Sequence, residues 1–233
     1  MQTTFTYFLI LIASVAGPLA LSFDRKVAFY KHWPALFRSM VLPVVVYLVW
    51  DVFFTAIGIW NFNPKYITGI YLGNLPLEEV LFFIIIPYCC VFIYACLRAY
   101  FPGWNAEAKG SWLVLRFIII LALLAGSQWH DRYYTAFTCW GIVLFGAWVL
   151  IDRKTFCNFH PGYFLVSYAI ALLPFLLVNG FLTALPVVRY NDAENIGYRI
   201  YTIPAEDVFY GMLLMLMIIA GYEQARSKPV QQA

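Results

Sequence analysis

The chain carries the run Pro76-Leu77-Glu78-Glu79-Val80 and repeats it, 128 residues further on, as Pro204-Ala205-Glu206-Asp207-Val208. The same offset relates residues upstream of these runs without any gap, so that positions 24–80 and 152–208 share 14 identities in 57 aligned pairs. The identities include Asp24-Arg25-Lys26 with Asp152-Arg153-Lys154, His32 with His160, and Asn63 with Asn191. Self-similarity at one fixed period over this length indicates an internal duplication.

Composition places the duplicated unit in a membrane. Hydrophobic residues make up 63% of the 233 residues and charged residues only 12%, which is too apolar for a soluble domain of this size. A helix that crosses a bilayer needs roughly 20 mostly apolar residues. Such stretches lie at residues 3–22, 36–58, 77–99, 111–128, 133–151, 163–185 and 204–222. The sequence therefore predicts an all-α integral membrane protein of about seven transmembrane helices.

The repeat and the helix count together predict how the helices are arranged. Each copy holds three helices, and a further helix links them, so the second copy starts on the same side of the membrane as the first. Two parallel repeats of this kind are related by a pseudo-twofold axis along the membrane normal. We expect a single membrane domain, residues 1–233, made of a first repeat (1–105), a linker helix (106–130) and a second repeat (131–233).

Lysine and arginine are distributed unequally between the two sides of the predicted bundle. An N-terminus outside the cell would put ten of them in the cytoplasm (Arg25, Lys26, Lys31, Arg38, Arg98, Lys109, Arg153, Lys154, Arg226 and Lys228) and four outside (Lys65, Arg132, Arg189 and Arg199). This is the distribution that the positive-inside rule favours. We therefore expect a multi-pass protein of the cell membrane with a cytoplasmic C-terminus. The net charge of +3 gives no reason to expect a nucleic-acid partner.

Five acidic residues are predicted to form one cluster near the outer face. Glu78, Glu79, Glu206 and Asp207 stand where the third and seventh apolar stretches begin, and Asp51 lies in the outer half of the second. Ionisable groups at membrane depth usually face an interior cavity and mark function. Carboxylates crowded into a dry site favour protonation of at least one of them, so the cluster predicts a proton donor. Two structural alternatives stay open: the paired acids cap their helices, and Asp51 is only a hydrogen-bonding group.

Aromatic side chains, which make up 20% of the chain, are dense around these acids. Most of them suit the interfacial belts of membrane proteins. A ring face also stabilises a nearby cation by roughly 0.5–2 kcal/mol when water is excluded, so an apolar pocket with an acid and several rings suits carbocation chemistry. The candidates for contact with a substrate are Phe53, Phe54, Phe82, Phe181 and Tyr210. Because little chain lies outside the apolar stretches, we expect the substrate to be lipid-soluble.

The first acidic motif lies in the run Gly69-Ile70-Tyr71-Leu72-Gly73-Asn74-Leu75-Pro76-Leu77-Glu78-Glu79-Val80-Leu81-Phe82, and the second lies in Pro204-Ala205-Glu206-Asp207-Val208. Together, these two stretches resemble the fused form of the heterodimeric-type bacterial lycopene β-cyclases. They are also similar to the cyclase region of the fungal bifunctional phytoene synthase/lycopene cyclases. The resemblance covers nearly the whole chain. It implies a cofactor-independent, non-redox isomerisation of a linear C40 carotene, in which a proton adds to a ψ-end group, the cation closes a six-membered ring, and a ring proton leaves. The implied products are γ-carotene and then β-carotene.

The resemblance also implies site residues and partners. Glu78 or Glu206 is the expected proton donor, and Glu79, Asp207 and Asp51 would orient it, share its proton or take up the proton released at the end. The expected partners are lycopene and monocyclic carotene, membrane lipid, and other enzymes of the carotenoid pathway. No cofactor or metal is expected, because a Rossmann-type glycine motif is absent from the sequence and its 3 histidines and 5 cysteines lack metal-ligand spacing. A proton-coupled carrier built from parallel repeats remains the alternative function.

Overall fold

The computed structural model describes residues 3–104 and 109–227, which are mostly helical. The α-helices are α1 (Thr6–Leu21), α2 (Trp33–Ala56), α3 (Leu77–Tyr100), α4 (Lys109–Gln128), α5 (Tyr133–Ile151), α6 (Pro161–Ala184) and α7 (Glu206–Ser227). Within the described ranges, six of these helices, α2 to α7, are long and apolar enough to cross a membrane, whereas α1 has only 16 residues. The predicted all-α membrane protein is therefore confirmed.

The last helix differs most from its predicted bounds. The predicted stretch ended at residue 222, but α7 continues to Ser227. The sequence turns polar at Glu223, so hydropathy gave no reason to extend the helix. Glu223 is nevertheless buried, and its carboxylate lies 3.0 Å from the guanidinium of Arg98 on α3 and 3.6 Å from that of Arg226. Paired in this way, a charged residue can be accommodated inside the bundle, and the helix runs on past it.

Short strands cover one end of the bundle. Residues 57–76 and 185–205 form this end, which we name the hairpin end. Its strands are β1 (Trp60–Phe62), β2 (Tyr71–Leu72), β3 (Leu75–Pro76), β4 (Val188–Tyr190), β5 (Arg199–Ile200) and β6 (Ile203–Pro204), and they pair antiparallel as β1 with β4, β2 with β3, and β5 with β6. The sequence analysis predicted none of them, because strands of two or three residues are too short to show an alternating pattern.

The β1–β4 pair shows how the two halves of the chain are related. Trp60 lies opposite Tyr190, Asn61 opposite Arg189, and Phe62 opposite Val188. Adding 128 to the number of each residue in β1 gives a residue of β4. A rotation that exchanges the two halves of the chain therefore superimposes the β1–β4 pair on itself. This places a pseudo-twofold axis through the Asn61–Arg189 pair. The hairpins β2–β3 and β5–β6 occupy equivalent positions under the same offset.

Helix packing interlocks the two halves. The middle helix of each half packs on the last helix of the other, α2 on α7 and α6 on α3, while α1 packs on α3 and α5 on α7. Helix α4 packs against α5 and lies inside the predicted linker. Residues 106–108 of that linker lie outside the described part of the chain. Two of the residues counted for the charge distribution are also affected, because Lys228 and the side chain of Lys109 lie outside the described part. The boundaries at 105/106 and 130/131 stay a prediction.

Candidate active site

A cavity of about 820 Å³, including its mouth, lies between α3, α6 and α7 and is bounded at the hairpin end by β1 and β4. Its wall on α3 extends from Glu79 to Cys90, which is a depth of about 16 Å at the rise of an α-helix. Helices α3 and α7 contribute lining residues in pairs that the 128-residue offset relates: Glu79 with Asp207, Phe82 with Tyr210, Phe83 with Gly211, and Ile86 with Leu214. The cavity therefore straddles the pseudo-twofold axis.

Glu79 is one of the two acids that line this cavity. Helix α3 begins two residues earlier, and its first turn carries the side chain inwards, where it is buried. The hydroxyl of Tyr7 on α1 donates a hydrogen bond of 2.6 Å to Glu79 Oε2. Among the described residues, Tyr7 is the only side chain that donates to this carboxyl group. Glu79 thus combines access to an apolar cavity with little stabilisation of a negative charge.

Asp207 is the second acid on the cavity, and it is held by three donors. The Tyr134 hydroxyl donates to Oδ1 at 2.6 Å, and the Tyr190 hydroxyl and the Asn179 amide donate to Oδ2 at 2.9 and 3.1 Å. Burial and the neighbouring Asp207 carboxylate raise the pKa of Tyr190 well above its usual value, so Tyr190 donates as a neutral phenol. Three donors on one carboxyl group stabilise its ionised form.

The first acid of each motif has a different task. Glu78 and Glu206 are buried, yet neither lines the cavity. The backbone N–H of Thr68 donates to Glu78 Oε1 at 2.6 Å, and that of Ile196 donates to Glu206 Oε1 at 2.7 Å. Thr68 and Ile196 are equivalent under the 128-residue offset. Glu78 and Glu206 therefore tie the loop before each hairpin to the start of α3 and α7, instead of capping their own helices.

Asp51 lies beside the cavity wall without lining it. It is fully buried on α2, and its Oδ1 accepts hydrogen bonds from the indole N–H of Trp60 at 2.5 Å and from the hydroxyl of Thr55 at 3.4 Å. The Trp60 ring lines the cavity, so Asp51 orients part of the wall. Within residues 3–104 and 109–227, no group of three or more His, Cys, Asp or Glu side chains is arranged to hold a metal ion.

The aromatic candidates divide into three groups. Phe82 and Tyr210 line the cavity. Phe54 is fully buried in an aromatic cluster with Trp60 and Tyr134 and does not reach the cavity. Phe53 and Phe181, which occupy equivalent positions in α2 and α6, are 49% and 52% exposed on the outside of the bundle. Their sequence position, two residues after Asp51 and Asn179, did not reveal the direction in which they point.

Sequence reasoning missed the tyrosines that hold the two acids. Tyr7 and Tyr134 stand near the starts of α1 and α5, about 70 residues before the acids that they contact. The signal for them was available, because positions 6–7 and 134–135 correspond under the 128-residue offset and read Thr-Tyr and Tyr-Thr. Both positions place hydroxyl side chains at the entry of the first helix of each repeat, the end that faces the acids.

Comparison with known proteins gives a family match in both halves of the chain. A family model described as lycopene cyclase matches residues 4–97 and 131–225. Similar relatives are named bifunctional lycopene cyclase/phytoene synthase. The one from Leptosphaeria maculans is 29% identical over 180 residues, or 72% of this chain and 29% of the relative. The one from Phycomyces blakesleeanus is 31% identical over 107 residues, 42% of this chain and 18% of the relative. The matches therefore cover less than a third of these relatives. No solved structure matches the chain significantly.

Proposed function

Because the chain belongs to the lycopene cyclase family, we propose that it cyclises the ψ-end groups of lycopene to β-ionone rings, giving γ-carotene and then β-carotene. One observation carries the proposal: a single apolar cavity joins an acid with one hydrogen-bond donor, an acid with three, and a wall of aromatic rings. This combination suits an acid-catalysed reaction through carbocations. The relatives are named for lycopene cyclisation as well.

The first step is protonation of the terminal double bond by Glu79. The O–H bond of the carboxylic acid breaks, a C–H bond forms, and a tertiary cation remains on the substrate. Glu79 suits this task because it lies on the cavity and has one donor to favour its charged form. The hydroxyl of Tyr7, 2.6 Å away, then stabilises the carboxylate that forms. The sequence-based preference for Glu78 or Glu206 as donor stays untested, and the cavity favours Glu79.

The second step closes the ring and releases a proton. The electrons of the neighbouring double bond form a C–C bond to the cationic carbon, and the charge moves to a new tertiary carbon inside the six-membered ring. Phe82, Tyr210 and Trp60 line the cavity, and their rings would stabilise this charge. Asp207, which accepts hydrogen bonds from three donors, takes up the ring proton. The product is an isomer of the substrate, so the step needs no oxidant or reductant.

We infer the membrane orientation from charge alone. With the N-terminus outside, the hairpin end and the acids lie towards the outer leaflet, and the basic residues near the ends of α3 and α7 lie in the cytoplasm. Membrane lipid surrounds the helices, and lycopene reaches the cavity from the bilayer. Other enzymes of the carotenoid pathway would release the substrate into the same bilayer.

The proposal is tested by expressing the chain in a bacterium engineered to accumulate lycopene and separating the extracted pigments by chromatography. The wild type should form γ- or β-carotene. Glu79→Gln should abolish both, because an amide cannot protonate an alkene. Asp207→Asn should lower the yield strongly, and Glu78→Gln is the matched control on the adjacent residue of α3.

Each outcome of this experiment has a meaning. Loss of product in Glu79→Gln, with product retained in Glu78→Gln, supports the assignment. Loss in Glu78→Gln alone, from a folded protein, would return the donor role to the first acid of the motif. Unchanged lycopene with a folded, membrane-inserted wild type would contradict the cyclase proposal and favour the proton-coupled carrier.

A further inference from the structure

The cavity is one-sided, although the fold around it is pseudo-symmetric. Its central lining residues on α3 and α7 occur in pairs related by the 128-residue offset. A symmetric cavity would extend from this centre in two directions, towards α6 and towards α2. Lining residues from α6 are present, Tyr168, Ala171, Phe175, Asn179, Leu182 and Thr183, but none comes from α2. The open side is named the α6 lobe and its closed equivalent the α2 lobe.

A glycine keeps the α6 lobe open. Gly211 of α7 faces α6, and a Cβ atom built at this position would lie 3.2 Å from the ring of Phe175 and 3.3 Å from the hydroxyl of Tyr168. Any side chain here would therefore project into the lobe. The opposite wall carries Ala171, which is also small.

Aromatic side chains fill the α2 lobe. Phe83 stands where the other half has Gly211, is 1% exposed, and packs with its ring 5.8 Å from the ring of Tyr47. The ring of Tyr210 lies 4.7 Å from Tyr47 and 5.1 Å from Trp50. Phe54, in the place of Leu182, is fully buried. The duplicated fold thus offers two equivalent positions, and the side chains close one of them.

We propose that the site accepts one end of its linear substrate per binding event, from the α6 side, and that a second ring forms only after the singly cyclised product has left and returned with its other end. This deepens the proposed function and rests on it. The two acids serve the same end group, since both line the same cavity. A cavity about 16 Å deep holds only part of a C40 chain, so the remainder stays outside the cavity.

A pulse-chase experiment tests this directly. Purified wild-type protein in liposomes receives labelled lycopene, followed shortly by an excess of unlabelled γ-carotene. Release between the two ring closures predicts that labelled γ-carotene accumulates and that the chase strongly reduces the label in β-carotene. Fully labelled β-carotene despite the chase would overturn the proposal while leaving the cyclase function intact. Absence of any cyclic product would instead contradict the proposed function.

Substitutions on α7 test which lobe is used. Gly211→Val should lower the rate of cyclisation about tenfold, because displacement of the bound end by a fraction of an ångström already costs much of the rate. Gly221→Ala is the matched control: its Cβ would lie 3.3 Å from Cβ of Ser39, equally tight, but at the opposite end of α7. Gly211→Ala adds the same methyl group as Gly221→Ala but inside the lobe, so it should lower the rate by a smaller factor than Gly211→Val, while Gly221→Ala should keep the wild-type rate. A folded Gly211→Val protein with the wild-type rate would overturn the assignment of the α6 lobe.

Discussion

Replacing Tyr7 with phenylalanine removes the hydroxyl that donates to Glu79 at 2.6 Å and leaves the aromatic ring in place. In the transition state for protonation, negative charge develops on Glu79, and Tyr7 is its only side-chain donor within the described residues. A hydrogen bond to a charged group contributes about 1.5–3 kcal/mol. If this stabilisation is realised in the transition state, its loss slows proton transfer roughly 10- to 150-fold. Substrate binding should change little, since the ring remains.

The assay is the initial rate of cyclic carotene formation by purified protein in liposomes, normalised to folded protein. Tyr163→Phe is the matched control, because it also removes a buried phenol's hydrogen bond, to the carbonyl of Phe101, but outside the cavity. Both variants should lose similar stability, about 1 kcal/mol. Only Tyr7→Phe should lose rate. A Tyr7→Phe rate within twofold of the wild type would refute the role given to this hydrogen bond.

Three further perturbations concern the loops and the aromatic wall. Arg132→Ala removes hydrogen bonds of 3.1, 3.0 and 2.9 Å to the carbonyls of residues 192, 193 and 195, and should lower the free energy of unfolding by about 2 kcal/mol, measured by thermal unfolding in detergent. Phe82→Ala should lower the cyclisation rate far more than Phe53→Ala, because Phe82 lines the cavity and Phe53 is 49% exposed outside it; equal rates would contradict the placement of the substrate. Burial opposes ionisation of Asp192, but hydrogen bonds from Arg199 and Asn195 outweigh this effect and lower the pKa of Asp192. The ionised carboxylate therefore adds to the free energy of unfolding at pH values above its usual pKa, and this addition is lost as the pH falls through the lowered pKa. The free energy of unfolding of Asp192→Asn, measured by denaturation at several pH values, should therefore fall less than that of the wild type below about pH 4. The difference should be small, because the Asp192 side chain is largely exposed.

The helices were predictable because the bilayer imposes length and hydropathy on each of them. The predicted stretch 133–151 coincides with α5, and 77–99 differs from α3 by one residue. The duplication was equally readable, since it leaves identities at a fixed offset. These features are local or periodic properties of the sequence, which is why no tertiary information was needed.

The roles of the individual acids were not predictable in the same way. Glu78 and Glu79 are neighbours of the same chemical type, and only the rotation of α3 decides that Glu79 meets the cavity while Glu78 meets the backbone of Thr68. The same limit applies to Phe53 and Phe54, of which one points outwards and the other inwards. Tyr7 and Tyr190 reach the site from distant segments. Such contacts depend on how the helices pack against one another, and the residue pattern along a single helix does not specify this packing.

The most direct measurement of the central claim is a single-turnover cyclisation by protein equilibrated in D2O, followed by mass spectrometry of the carotene products. A carboxylic acid that donates an exchangeable proton predicts one deuterium for each ring formed and an otherwise unchanged hydrogen content, with no product from Glu79→Gln. Rings formed without deuterium, or products that have gained or lost a pair of hydrogens, would contradict protonation by this acid as the step that starts the reaction.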